Sequence, residues 1–229
     1  MTIRNFHVFG QRCSGTNALM RLVERNFADL QFSEEAGFKH WLVPSDLEID
    51  PDAVVIVITR EVGSWLRSLH RQPWHAHPDL KSMDFARFIR APWRSVWDKD
   101  FWGLDETDRR YGHPITEERC PETNEPFANA VAMRTAKLRN WSQLGSRCDI
   151  FVKIDHAELV SDPIAVVGHI ASKARTRPNE LFEPVDTYKG LPGKRFRPTA
   201  HERLSADDLE FVLGNIDRDL EASYGRSYF

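Results

Sequence analysis

The sequence lacks the features that mark membrane, secreted and disulfide-rich proteins. No apolar run approaches the roughly 18 residues of a membrane-spanning helix, and the N-terminus lacks the charged, apolar and small-residue order of a signal peptide. The three cysteines, Cys13, Cys120 and Cys148, are widely spaced, which favours reduced thiols over a disulfide framework. We therefore expect a cytoplasmic protein that does not insert into a membrane.

A large excess of one charge is also lacking. The net charge of -3 and the isoelectric point near 6.3 give no basic footprint for nucleic acid, so any anion site must be local. At 229 residues, with 41% hydrophobic and 28% charged residues, the chain is long enough for one sizeable α/β domain and short for two. We expect a single domain over residues 1–229 and no nucleic-acid partner.

Strand patterns alternate with helix patterns along the chain. Strand-like runs occupy residues 3–8, 53–59 and 149–154, and the middle one, AVVIVIT, is typical of a central strand covered on both faces. Helical spacing of apolar residues predicts helices over 16–29, 62–71, 127–145, 162–175 and 205–223. This alternation predicts a three-layer α/β/α sandwich with a mainly parallel central sheet.

Residues 72–126 interrupt this alternation. The segment is rich in tryptophan, proline and charge, which predicts a lid or acceptor-binding insertion over the carboxyl ends of the strands. Its histidines, such as His75 and His77 beside Asp79, lack the full ligand set of a zinc or iron site. We therefore expect no metal.

The loop FGQRCSGTN, residues 9–17, joins the first strand to the first helix. A glycine-containing turn there directs backbone N–H groups and the positive end of the helix dipole at one point, which suits a phosphate or sulfate. Gly10 and Gly15 have the glycine spacing of the nucleotide P-loop. Thr16 stands where that motif has lysine and Asn17 where it has the magnesium ligand, which disfavours an ATPase or kinase.

Two further stretches support an anion site. Arg60 follows the central strand, where a guanidinium can grip a phosphate, and Ser68 lies eight residues later. Lys39 and His40 precede the central strand, and a histidine with an adjacent lysine suits a general base with an electrostatic partner. For Arg60 alone a helix-edge salt bridge, and for His40 alone a structural role, remain open.

Taken in order, these stretches resemble the sulfotransferases that use 3′-phosphoadenosine 5′-phosphosulfate (PAPS). The resemblance implies a P-loop-like fold in which the loop from Gly10 to Asn17, centred on Ser14-Gly15-Thr16, wraps the 5′-phosphosulfate. It implies that His40 is the catalytic base and that Arg60 and Ser68 hold the 3′-phosphate.

Two later stretches extend the resemblance. The segment HAELVSDP at 156–163 is similar to the family's Tyr-Glu-Asp-Leu stretch, which also ends in proline. The segment KGLPGKRFRP at 189–198 resembles its late basic loop, which makes Lys194, Arg195 and Arg197 candidate cofactor ligands.

The chain departs from the family pattern at several positions. Cys13 stands where cytosolic members have a lysine, and the positive charge moves to Arg12. Lys39 and His40 are adjacent instead of being separated by threonine, and the adenine-stacking tryptophan after the loop is absent. Tyr188 is our candidate for the stacking face.

The resemblance implies an in-line sulfuryl transfer that leaves adenosine 3′,5′-bisphosphate and needs no metal. His40 would deprotonate a hydroxyl or amine, while Arg12 and Lys39 stabilise developing charge. The acceptor stays open among glycans, lipid-linked sugars, small alcohols or phenols, and peptides, and so does the oligomeric state. Two alternatives remain: a P-loop-type nucleotide or small-molecule kinase, and a non-catalytic nucleotide-binding protein with a degenerate sulfotransferase fold.

Overall fold

The computed structural model describes residues 3–188, 191–226 and 228, apart from the side chains of Leu191 and Pro192. Backbone contacts divide the chain into two compact units. Unit 1 comprises residues 1–61 and 140–200, and unit 2 comprises residues 62–139 and 201–229. The prediction of a single domain over 1–229 with a lid at 72–126 stays a prediction.

Strands and helices alternate through much of the chain. The strands are β1 (Asn5–Phe9), β2 (Gln31–Phe32), β3 (Ala53–Thr59), β4 (Ile150–Asp155), β5 (Thr187–Tyr188) and β6 (Leu191–Arg195). The helices are α1 (Thr16–Asn26), α2 (Val62–Arg71), α3 (Pro78–Lys81), α4 (Phe85–Arg90), α5 (Lys99–Trp102), α6 (Ala130–Ser142), α7 (His156–Ser161), α8 (Pro163–Ala174), α9 (Ala206–Asn215) and α10 (Arg218–Ala222). Within the described ranges, none of these helices combines the length and apolarity needed to cross a bilayer.

Unit 1 is built on a four-stranded parallel sheet with the order β2-β1-β3-β4. Phe9 at the end of β1 pairs with Val57 of β3, and Val57 pairs with Lys153 of β4. The carboxyl ends of these strands therefore meet at one edge, where the loop after β1 begins. The prediction of an α/β fold with a mainly parallel central sheet is confirmed.

Helices cover both faces of this sheet. On one face Ile56 packs in a core with Val23 of α1 and Ile170 of α8. On the other face Phe9 stacks on Trp141 at the end of α6, with ring centroids 6.4 Å apart. This layering is compatible with an α/β sandwich.

Several predicted helix boundaries move because local hydrogen bonds end or begin the helix. The helix predicted over 127–145 begins at Ala130, since Phe127 forms a β-bridge with Trp93 and the Asn129 side chain caps the first turn. The helix predicted over 205–223 is divided into α9 and α10, because Asp217 starts a new helix by accepting from the backbone N–H of Leu220 at 3.0 Å.

Unit 2 is held together largely by contacts between distant segments. Within residues 72–126 three isolated β-bridges join Ala76 to Ser95, Trp93 to Phe127 and Val96 to Pro114. Two buried ion pairs, Arg134 with Glu221 and Lys137 with Glu118, lie within the same unit. The segment predicted as an insertion thus has its own internal framework.

Candidate functional site

The candidate site is the loop between β1 and α1, where two residues with positive φ turn the chain. Cys13 has φ 65° and Gly15 has φ 91°, and the backbone N–H of Ser14 donates to the carbonyl of Gln11 at 3.1 Å. Gly15 is the N-cap of α1 and brings no capping side chain. The first N–H groups of this 11-residue helix are therefore directed at the loop, as in anion-binding helix termini.

Two polar side chains of the loop are wholly buried and have no hydrogen-bond partner within the part of the chain that the structure describes. Both amide atoms of Gln11 and the Oγ of Ser14 lack one, although each residue is 0% exposed. Burying a polar group without a partner costs roughly 1–3 kcal/mol, so such groups in a folded protein call for a functional explanation. A polar ligand held by the loop would supply the missing partners.

The segment containing Lys39 and His40 is fixed against the start of the loop. The backbone N–H of Gly10 donates to the Lys39 carbonyl at 3.1 Å, and His40 Nδ1 donates to the Gly10 carbonyl at 2.7 Å. Because a carbonyl only accepts, Nδ1 carries the proton, and the neutral ring has its lone pair on Nε2. The structure thus fixes the buried His40 against the start of the loop, while its role as a general base stays a prediction.

Arg60 reaches the same loop from the end of β3. Its Nη1 donates to the carbonyl of Cys13 at 3.0 Å, which fixes the guanidinium beside the left-handed turn. Ser68 is buried in α2, within unit 2. The structure thus places Arg60 at the loop, while the pairing of Ser68 with Arg60 stays a prediction.

The other predicted loop residues differ in their burial. Arg12 and Thr16 are almost fully buried, at 3% and 4% exposure, while Cys13 is half-buried and Asn17 is exposed. A buried guanidinium in the loop adds positive charge to the N–H groups of α1. Their contacts with a cofactor stay predictions.

Within the predicted late basic loop, residues 191–195 form β6, which pairs antiparallel with β5, and we call these two paired strands the β5–β6 hairpin. Arg21 of α1 donates to the Thr187 carbonyl at 2.6 Å, which ties this hairpin to the helix after the candidate loop. Tyr188 packs inside the hairpin, with its ring centroid 5.6 Å from Lys194 Nζ and 5.3 Å from that of Phe196.

The cationic side chains of the hairpin and its exit, Lys194, Arg195 and Arg197, are exposed. Lys189 and Gly190, which the prediction included, lie outside the described residues. The roles of these residues toward a cofactor stay predictions.

Two residues of the site were not among the predicted ones. Gln11 was not singled out because a sequence gives the residue type but not its burial. His156 follows β4, and its ring packs so closely on the loop that a Cβ on Gly15 would lie 2.9 Å from His156 Cδ2. The signal for His156 was its position at the end of a parallel strand, since those ends share one edge of the sheet.

The geometry of the described residues contains no metal centre. Across residues 3–188, 191–226 and 228, no three His, Cys, Asp or Glu side chains converge as ligands. The groups that the structure places at the loop are N–H groups, hydroxyls, guanidinium groups and an imidazole.

We compared the chain with models of known protein families, with curated proteins and with solved structures. None of the three comparisons gave a match.

Proposed function

We propose that the loop of unit 1 binds PAPS and that the protein transfers its sulfuryl group to a hydroxyl or amine. The observation that supports this most is the convergence of unlike groups on one loop. Buried unpartnered Gln11 and Ser14, the Arg60 guanidinium and the His40 imidazole all belong to or contact residues 10–15. An anion donor and a proton acceptor can both be served by such a set.

The residue types favour a sulfate donor over a nucleoside triphosphate. A P-loop kinase uses a lysine on the terminal phosphates and a hydroxyl on magnesium, and Thr16 and Asn17 occupy those positions. Arg12, Ser14 and the N–H groups of α1 need no metal to bind a phosphosulfate. A P-loop-like identity of the fold belongs to this proposal.

The proposed chemistry is a single in-line displacement at sulfur. His40 Nε2 takes the proton of the acceptor, whose oxygen or nitrogen bonds to sulfur as the bond from sulfur to the phosphate oxygen breaks. The electron pair leaves with adenosine 3′,5′-bisphosphate, and the loop N–H groups with Arg12 and Lys39 stabilise that charge. Small-molecule and glycan acceptors are both compatible with this step.

Cys13 supports a second candidate, a non-catalytic nucleotide-binding protein. It replaces the lysine that the resemblance places in the loop, and its carbonyl instead accepts from Arg60. Such a protein would bind adenosine 3′,5′-bisphosphate but transfer sulfate to no acceptor.

Calorimetric titration with three nucleotides tests the proposal. We expect adenosine 3′,5′-bisphosphate to bind more tightly than ADP or ATP, with or without magnesium. ATP binding that is tightest and requires magnesium would overturn the proposal and favour the kinase. Release of adenosine 3′,5′-bisphosphate from PAPS with a panel of acceptors then separates the enzyme from the non-catalytic protein.

A variant of Arg60 sharpens this test. Arg60→Ala should weaken adenosine 3′,5′-bisphosphate about tenfold or more, because a charge-assisted hydrogen bond contributes roughly 1.5–3 kcal/mol. Binding of 5′-AMP should fall much less, since it has no 3′-phosphate. Arg25→Ala is the matched control, because Arg25 is also half-buried in unit 1 and donates to the Pro184 carbonyl. Equal losses for both nucleotides would mean that Arg60 does not contact the 3′-phosphate.

A further inference from the structure

Unit 2 contains a cavity of about 260 Å³ that the proposed function does not use. Its walls come from four segments of residues 72–126, and the bridges Ala76 to Ser95 and Val96 to Pro114 join three of them. The backbone N–H of Ile115 also donates to the Ser95 carbonyl at 2.9 Å. The cavity is therefore built into the framework of unit 2.

One wall of the cavity carries a buried chain of hydrogen bonds. Ser95 Oγ donates to the Glu118 carboxylate, which also pairs with Lys137. Trp93 Nε1 in turn donates to Ser95 Oγ at 2.9 Å. Each of these side chains is at most 3% exposed, and Trp93, Ser95 and Glu118 line the cavity.

These hydrogen bonds determine which kind of polar group a ligand in the cavity must carry. A serine hydroxyl has one proton and two acceptor lone pairs. The proton of Ser95 is committed to Glu118 and one lone pair to Trp93, so Ser95 can only accept from a ligand. The matching ligand group is a hydrogen-bond donor, and a carboxylate at this wall would face the Glu118 charge.

The remaining walls are mostly apolar, with His77 as a further polar side chain, and the charges of the more exposed side chains are mixed. Trp93, Val96 and Ile115 are buried around the cavity, and Pro114 and Pro126 complete its sides. At the rim, Arg94 and Arg119 are balanced by Glu125, and Arg94 pairs with Asp79 at 2.9 Å. Apolar walls with no dominant charge favour an uncharged ring.

We propose that this cavity binds a small uncharged aromatic alcohol, with the ring against Trp93, Val96 and Ile115 and the hydroxyl donating to Ser95 Oγ. The volume suits a single ring, since a cavity of about 150 Å³ holds benzene. Every residue in this proposal belongs to unit 2, so it does not rest on the function proposed for the loop of unit 1.

The first test uses the unaltered protein and three ligands of nearly equal shape. Phenol donates a hydrogen bond, anisole can only accept one, and toluene can do neither. We expect ligand-observed NMR titration to show phenol binding about tenfold more tightly than anisole or toluene, as one hydrogen bond predicts. Equal affinities for the three, or no binding of phenol at about 10 mM, would overturn the proposal.

Two variants then locate the site. Ser95→Ala should reduce phenol binding about tenfold, to the level of toluene, and leave toluene binding unchanged. Ser82→Ala is the matched control, because Ser82 also lies in unit 2 and donates to the Asp79 carbonyl outside the cavity lining. Val96→Phe fills the cavity and should abolish binding of both ligands.

Thermal unfolding of each variant accompanies the titrations, because Ser95→Ala leaves Trp93 Nε1 without its acceptor. If Ser95→Ala does not fold, the proposal is still tested by Val96→Phe and by the three ligands on the unaltered protein. Phenol binding to folded Val96→Phe at the original affinity would place the ligand elsewhere and overturn the proposal. Titration with adenosine 3′,5′-bisphosphate tests the loop of unit 1 separately, so a failure of this proposal is distinguishable from a failure of the proposed function.

Discussion

The candidate loop of unit 1 and one buried ion pair of unit 2 hold their polar side chains differently. Gln11 and Ser14 are buried in the loop without hydrogen-bond partners among the described residues, whereas the buried Arg134 donates two hydrogen bonds to Glu221, at 2.6 and 2.9 Å. Paired buried charges hold a packing arrangement in place. Unpartnered buried groups lower stability, so they point to binding or catalysis. The comparison therefore predicts that Arg134 and Glu221 act in stability and that Gln11 and Ser14 act in binding.

The largest effect should come from breaking the Arg134–Glu221 pair. Arg134→Met removes both short hydrogen bonds to the buried Glu221 carboxylate and leaves Arg226 Nε, 4.0 Å away, as a weaker partner. We expect it to lower the free energy of unfolding by about 3–5 kcal/mol. Both side chains are at most 2% exposed, so water cannot replace the guanidinium. Urea unfolding measures the loss.

Two further variants test whether charge pairing is the cause. Arg134→Met combined with Glu221→Leu should lose clearly less stability than Arg134→Met alone, because both members of the closest pair are removed and no buried carboxylate is left. Arg139→Met is the matched control on the same helix, since its ion pair with Asp217 is exposed and contributes at most about 1 kcal/mol. A double variant as unstable as the single one would mean that packing, and not pairing, stabilises this region.

The next largest effect should come from Gly10, where β1 enters the loop. A Cβ on Gly10 would lie 2.7 Å from the backbone carbonyl oxygen of Ile58 and 2.9 Å from the Thr16 methyl group. Gly10→Ala must therefore displace either β3 or the loop, and we expect a loss of about 1–3 kcal/mol in urea unfolding.

A glycine in open space provides the control for Gly10→Ala. Gly168 lies in α8 with nothing within 4 Å of an added Cβ, so Gly168→Ala should raise stability by about 0.5–1 kcal/mol. If Gly10→Ala raises the free energy of unfolding as Gly168→Ala does, Gly10 does not lie as close to the Ile58 carbonyl of β3 as the structure places it.

Elements of both units could be predicted where their signals are local. The run AVVIVIT fills β3 with the predicted boundaries, and α2 also has its predicted boundaries of 62 and 71. Each is specified by neighbouring residues: a continuous buried strand in one case and helical spacing in the other. The two-residue strand β2 carries too short a pattern to be found in this way.

The internal structure of residues 72–126 could not be predicted, because contacts between distant segments determine it. Trp93 bridges Phe127, and Val96 bridges Pro114, so no single stretch reveals the arrangement. The same reasoning applies to the candidate site. The glycines of the loop are readable in sequence, whereas the burial of Gln11 and the packing of His156 on Gly15 depend on the fold.

A smaller effect is expected at Ser14, and it should appear in binding and not in stability. Ser14→Ala removes a buried hydroxyl that has no partner, so the free energy of unfolding should stay unchanged or rise slightly. Affinity for adenosine 3′,5′-bisphosphate should fall about tenfold, or roughly 1.4 kcal/mol, because one hydrogen bond to the ligand is lost.

The control for Ser14→Ala is Ser146→Ala, an exposed serine of unit 1 whose hydroxyl donates to the Gln143 carbonyl at 2.9 Å. It should leave affinity unchanged. A Ser14→Ala variant that loses stability and keeps its affinity would mean that Ser14 stabilises the fold and does not contact the nucleotide.

The smallest effect concerns His7, a buried and fully structural polar residue of unit 1. Its Nδ1 donates to the Ser33 carbonyl at 2.9 Å, and burial lowers the pKa of the ring below 6.5, against opposing effects of Ser33, Glu35 and Asp50. The unfolded chain therefore binds a proton more readily than the folded chain, so His7 lowers stability as the pH falls below 6.5 and has no such effect above it. His7→Gln removes this titration, and urea unfolding on either side of that pH should show a weaker acid destabilisation in the variant. An equal or steeper loss in His7→Gln would mean that the burial of His7 does not affect its proton affinity.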